Sequence, residues 1–150
     1  MEKLHSDITS DKSKIVIADN SCYDLSYDSE KNRIYLTIRG FWKALESVPH
    51  YLMDWQKVLK LKKPGFTVLV NMQDMLTHPQ NMNSLHIQAQ QLVLEQQVAR
   101  IAHVIPSDKI AKLQVDSIAS QTGIPVKDFG IYQDAEHWLE ELTNSTEFND

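Results

Sequence analysis

The sequence predicts one α/β domain built on a mixed β-sheet of four to five strands packed with about four helices. Three observations lead there. Residues 22–27 and 33–39 alternate apolar and polar side chains with the two-residue period of half-buried strands, and a polar turn separates them. Residues 66–72 and 101–105 are almost continuously apolar, as strands covered on both faces are. Between and after these runs lie segments whose apolar residues recur at helical spacing.

Taken in order, residues 1–14 are rich in Ser, Asp and Lys without periodicity and read as a tail, followed by a short strand at 14–18. Tyr23, Leu25 and Tyr27, then Ile34, Leu36 and Ile38, mark two strands that pair as an antiparallel hairpin around the turn at 28–32, and Gly40 ends the second. Ser47 is expected to cap a helix with Pro49 in its first turn and Val48, Tyr51, Leu52, Trp55, Val58 and Leu59 on one face, stopped by Lys63-Pro64-Gly65. After the strand at 66–72, a helix over 81–98 carries Met82, Leu85, Ala89, Leu92 and Val93 on one side. It carries Ile87, Leu94 and Val98 on nearly the opposite side, so it is either covered twice within its domain or presents Ile87, Leu94 and Val98 to another chain, as in a homodimer. Ser107 and Asp108 then cap a third helix that ends at Gly123 and Pro125. A short strand at 129–132 precedes a last helix, opened by Asp134, with the stripe Ala135, Trp138, Leu139 and Leu142; residues 143–150 read as a second tail. The domain therefore spans 15–142, with no linker or repeat inside it.

The balance of 42% hydrophobic and 23% charged residues is that of one globular domain, which at 150 residues needs neither disulfide nor structural metal. The only cysteine, Cys22, has no partner within the chain and reads as a half-buried strand residue. A net charge of -5 argues against nucleic-acid binding, and the basic cluster Lys57, Lys60, Lys62 and Lys63 reads as a solvated helix end. No apolar run is long enough for a membrane span, and the polar first residues do not form a signal peptide, so the expected location is the cytoplasm.

No phosphate-binding glycine loop, nucleophile elbow or zinc spacing is present, and no cofactor or metal is expected. Of six histidines, His5 falls in the tail, His50, His86 and His137 fall on helices as polar-face residues, and His103 reads as a core histidine with a backbone partner. His78 stands out because it lies in the loop after a central strand, the end of an α/β sheet where ligands bind. That loop, residues 71–84, contains Asn71, Asp74, Thr77, His78, Asn81 and Ser84 and leads into a helix N-terminus. It is the best-placed partner or ligand loop, with helix capping by Asn81 or Ser84 as the plainer reading.

The strand "IYLTIRGFW" ending in glycine, the strand "FTVLVNM", the "ARIAHVIPSD" strand entering a helix and the closing "FGIYQDAEHWLEEL" together resemble the STAS superfamily. The likeness spans residues 22–142 and is nearest to stand-alone bacterial domains of the anti-sigma factor antagonist and SEC14-like kind. The resemblance implies a small non-enzymatic domain that binds proteins or small ligands. In antagonists of this family a serine at the helix start after the third core strand is phosphorylated. Here "MLTHPQNMNSL" stands where the family has Asp-Ser-Ser-Gly, with Thr77 and Ser84 the nearest hydroxyls, so that site does not carry over. Three functions follow as expectations: a protein-interaction or regulatory domain, a carrier with an apolar pocket of Phe41, Trp42, Trp55 and Met72 or Met75 for a lipid-like ligand, and a hydrolase or metal enzyme using His78 with Asp74.

Overall fold

A computed structural model describes residues 13–149, with side chains to residue 141. Six strands form one sheet in sequence order: β1 (Lys14–Asp19), β2 (Tyr23–Asp28), β3 (Arg33–Ile38), β4 (Thr67–Asn71), β5 (Arg100–Val104) and β6 (Lys127–Phe129). The first three are antiparallel neighbours, and β3 to β6 run parallel, so the sheet is mixed as expected, with one strand more. Four α-helices accompany it: α1 (Tyr51–Leu59), α2 (Asn83–Glu95), α3 (Lys109–Thr122) and α4 (Tyr132–Asn149).

The hairpin forms because its alternation and its turn agree. Tyr23 faces Ile38 and Asp28 faces Arg33, while the Asp28 carboxylate accepts the backbone N–H groups of Glu30 and Lys31 and so closes the turn. Leu25, Ile34, Leu36, Ile38, Val68, Val70 and Ile101 point to one face, where α1, α2 and α3 supply Tyr51, Trp55, Val58, Leu85, Ala89, Val93 and Val115. Leu69, Ala102 and Val104 point to the other face, against Ala135 and Leu139 of α4. The continuous apolar runs of β4 and β5 are thus explained by cover on both sides.

On the α4 face the sequence holds a charge that burial makes costly. Arg33 is 0% exposed, donates to Thr67 Oγ1 at 2.9 Å and to Glu140 at 3.1 Å, and is paired with Glu136, which also accepts from the Tyr35 hydroxyl at 2.7 Å. A buried guanidinium is tolerable only with such partners, and these lie one helical turn apart on α4, fixing that helix on the sheet.

Several local expectations change. Asp108 does cap α3, accepting from Ile110 N and Ala111 N at 2.9 Å, and Gly123 ends it in the left-handed region at φ 73°. Ser47 instead closes a 3-10 turn, Leu45–Ser47, and α1 begins after His50 with no side-chain cap. Neither Asn81 nor Ser84 caps α2, which continues directly from a second 3-10 turn, Gln80–Met82. The last strand is Lys127–Phe129 rather than 129–132, because Lys127 and Phe129 pair with Ala102 and Val104. Helix α4 starts two residues earlier than Asp134 and its backbone continues through 143–149, where a tail is expected. Once a helix is nucleated, each further residue adds a hydrogen bond, so polar composition alone does not stop it. Of the tail expected at 1–14, residues 1–12 lie outside the described residues, as does the side chain of Leu142, and Lys14 already belongs to β1.

The two apolar sides of the helix expected over 81–98 have different surroundings. Helix α2 packs between α1 and α3, and Leu94 is half-buried against the domain's own core. Val98 lies beyond the end of α2 and packs there too, while Ile87 is half-buried. Leu94 and Val98 are thus partly covered by the domain's own core, and Ile87 keeps part of its surface open.

Candidate functional site

The parallel strands β3, β4 and β5 end on the same edge of the domain, and the segments that follow them meet there. Gly40, just past β3, adopts φ 63°, a conformation that favours glycine, and forms an isolated parallel bridge with Met75 from the β4–α2 loop. Its N–H donates to the Asp74 carbonyl at 2.8 Å, and its own carbonyl accepts from Leu76 N at 3.0 Å. This bridge pins residues 74–76 beside the chain that carries Phe41 and Trp42.

Trp42 is fully buried beneath that bridge, its indole N–H donating to the Cys22 and Arg39 carbonyls at 3.1 and 3.2 Å. His78 stacks on the indole at a centroid distance of 4.8 Å and His86 at 5.2 Å, and Tyr51 meets it edge-on at 5.0 Å. His78 Nε2 lies 3.2 Å from the Gly40 carbonyl, and His78 Nδ1 lies 3.0 Å from His86 Nε2. The carbonyl can only accept, so His78 carries its proton on Nε2 and accepts at Nδ1. His86 must then donate from Nε2, which leaves its Nδ1 as an open lone pair.

Both rings are held neutral by their surroundings. Burial lowers the His78 pKa to about 4 against the support of the Gly40 carbonyl, and burial with the neighbouring His78 lowers that of His86 to about 3. His103 on β5 is 4% exposed, and burial lowers its pKa to about 4. Its Nδ1 has no hydrogen-bond partner, so the backbone partner expected for it is absent. His86 is likewise a buried residue and not the polar-face residue its place on a helix implies.

These groups stand between two spaces. Inward, between the sheet and helices α2 and α3, lies a cavity of about 50 Å³ lined by Met72, Met75, His86, Gln90 and His103, with aliphatic walls from β3, β4 and α3. Outward, a shallow groove runs past Thr77, His78, Asn83, Ile110, Leu113 and Gln114. Gln114 of α3 locks the loop into this groove. Its amide oxygen accepts from His78 N, and its amide nitrogen donates to the His78 carbonyl and to Asn83 Oδ1, each at 2.9 Å.

Of the loop residues, Thr77 and His78 line the groove, and Asn71 only closes a turn by accepting from Gln73 N at 3.2 Å. Asp74 is exposed and meets Gly40 through its backbone, not His78 through its carboxylate, so the pair needed for a hydrolase is not assembled. Asn81 is exposed, and Ser84 accepts from the Gln88 amide at 3.0 Å within α2. The aromatic pocket does not form either. Trp42 and Trp55 are core residues, Phe41 is 54% exposed, and Met72 and Met75 face histidines instead.

The rim of this edge is unusually apolar. Among the described residues nine large hydrophobic side chains are exposed, and six of them, Phe41, Leu45, Met53, Leu76, Ile110 and Leu113, sit in the loops and first two helical turns that follow β3, β4 and β5. Helical periodicity names Ile110, Leu113 and Ile118 as an inward face, of which only Ile118 is buried. The inward residues of α3 are Ala111, Val115 and Ile118, which leaves Ile110 and Leu113 64% and 67% exposed. Among the described residues no group of three His, Cys, Asp or Glu side chains could hold a metal ion, and no helix is long and apolar enough to cross a membrane. In comparisons with family models, curated proteins and solved structures, nothing matches this chain.

Proposed function

We propose that this chain is a non-catalytic binding domain, STAS-like in organisation, that engages a protein partner through the apolar rim around residues 71–84. The observation that carries the proposal is the concentration of exposed apolar side chains at one edge. Ile110 and Leu113 line the groove with Thr77 and His78, Leu76 directly precedes Thr77, and Phe41 follows the Gly40 bridge. Isolated exposed hydrophobic residues are ordinary, but a group of them on loops held by a rigid frame is the make-up of a recognition surface. The Gly40–Met75 bridge and the Gln114 clasp supply that frame. The histidines support a structural role beneath the rim, since their protons are committed to each other and to Gly40 rather than directed at the groove. A lipid-like ligand has less support, because the interior cavity of about 50 Å³ is well below the several hundred Å³ such ligands occupy.

A photo-crosslinking amino acid placed at Leu113 in the source cells, against one at exposed Lys60 on the opposite edge, tests the proposal. A discrete protein adduct formed from position 113 and absent from position 60 is expected. Indistinguishable patterns from the two positions would refute it.

A further inference from the structure

We propose that the cavity between the sheet and helices α2 and α3 is a binding site for a single copper(I) ion, ligated by the thioethers of Met72 and Met75 and the imidazoles of His86 and His103. All four side chains line the same small space, at burial levels from 2% to 7% exposed. Thioether and imidazole together are a soft, neutral donor set, and such donors select copper(I) over harder ions. No carboxylate lines the cavity, so a divalent ion would bring two uncompensated charges into a buried place, whereas a monovalent ion brings one. A volume of about 50 Å³ suits an ion, with flexible methionine side chains able to close on it.

The hydrogen bonds around His86 supply the second observation. Histidines that ligate metals almost always donate their other ring N–H to an outer acceptor, which fixes tautomer and ring orientation. His86 does this: Nε2 donates to His78, and His78 is itself fixed by donating to the Gly40 carbonyl. What remains to His86 is a deprotonated Nδ1, the form a metal requires. His103 adds a buried Nδ1 without any partner, an atom left unsatisfied unless something occupies the site. Met72 and Met75 come from the same loop that the Gly40 bridge holds, so the backbone carrying the two thioethers is fixed and only their side chains need to close on an ion.

The test uses the full chain carrying Cys22→Ser, which removes the single thiol as a competing ligand. Under anaerobic conditions, copper(I) is titrated against bicinchoninate, and native mass spectra are recorded. One equivalent retained against the chelator, and lost in Met72→Leu/Met75→Leu with an unchanged melting curve, is the expected result. No retained copper, or one equivalent held equally well by the double variant, overturns the proposal. The chain with its methionines intact provides a readout that does not depend on the variant folding. On adding silver(I) as a redox-inert probe, the Met72 and Met75 methyl resonances and the His86 and His103 ring signals should move, while Met53 and Met82 stay in place. Shifts elsewhere, or none, overturn it.

Discussion

Acidification from pH 7 to pH 5 should destabilise this domain by an amount set by its buried histidines. Each of His78, His86 and His103 has a folded-state pKa below the ordinary 6.5, at about 4, about 3 and about 4. The unfolded chain therefore takes up protons first, and stability present above pH 6.5 is lost as pH falls towards 4. At pH 5 an unfolded imidazole is almost fully protonated and a buried one almost neutral, a difference of about 2 kcal/mol each for His86 and His103. His78 contributes less, because its ring lies next to the groove. The sum, about 4–5 kcal/mol, is a large part of the 5–15 kcal/mol that holds a typical domain together. Urea unfolding followed by tryptophan fluorescence at pH 7, 6 and 5 measures it directly. The free energy of unfolding should fall progressively, and His103→Leu should remove about 2 kcal/mol of the pH dependence. A free energy that stays flat from pH 7 to pH 5 would refute the assignment of three buried neutral rings.

Other consequences are smaller and separable. Asp108→Ala removes the side chain that satisfies Ile110 N and Ala111 N, and should lower stability by about 1 kcal/mol in chemical denaturation. Glu136→Ala leaves the fully buried Arg33 with Glu140 as its only carboxylate and should cost on the order of 2–3 kcal/mol, read from the urea midpoint. Gly123→Ala forces a side chain into a left-handed conformation at φ 73° and should cost about 1 kcal/mol, most of it recovered by Gly123→Asn. Gln114→Leu removes three hydrogen bonds from the loop while keeping its bulk, and hydrogen exchange should show faster opening at His78 N with β4 still protected.

How much of this could be read in the sequence divides along physical lines. The hairpin and the buried strands β4 and β5 were legible because apolar alternation and continuous apolar runs are direct consequences of how many faces are covered. The connection between β4 and α2 was legible as lying at the carboxyl ends of the parallel strands because topology alone places it there. Partners distant in sequence were not. His86 looks like a surface residue of a helix until Trp42, 44 positions earlier, is found stacked on it. Arg33 reads as the polar member of an alternating strand, and only the fold brings Glu136 and Glu140 across to it. The i, i+4 spacing of those two glutamates was visible, but spacing alone does not reveal what they face. The phase of α3 was misleading for a related reason. Its apolar residues are spread around the helix, and packing against α2 selects Ala111, Val115 and Ile118 over the larger Ile110 and Leu113.

The proposed role stands or falls on the rim. The most direct measurement is calorimetric titration of the protein captured by crosslinking at position 113 against the wild-type chain and against Ile110→Asp/Leu113→Asp. Both side chains are exposed, so the double variant should unfold at the same urea concentration as the wild type. Losing two apolar anchors and introducing two charges should weaken binding roughly a hundredfold or more. An unchanged affinity would contradict the assignment of this edge as the recognition surface.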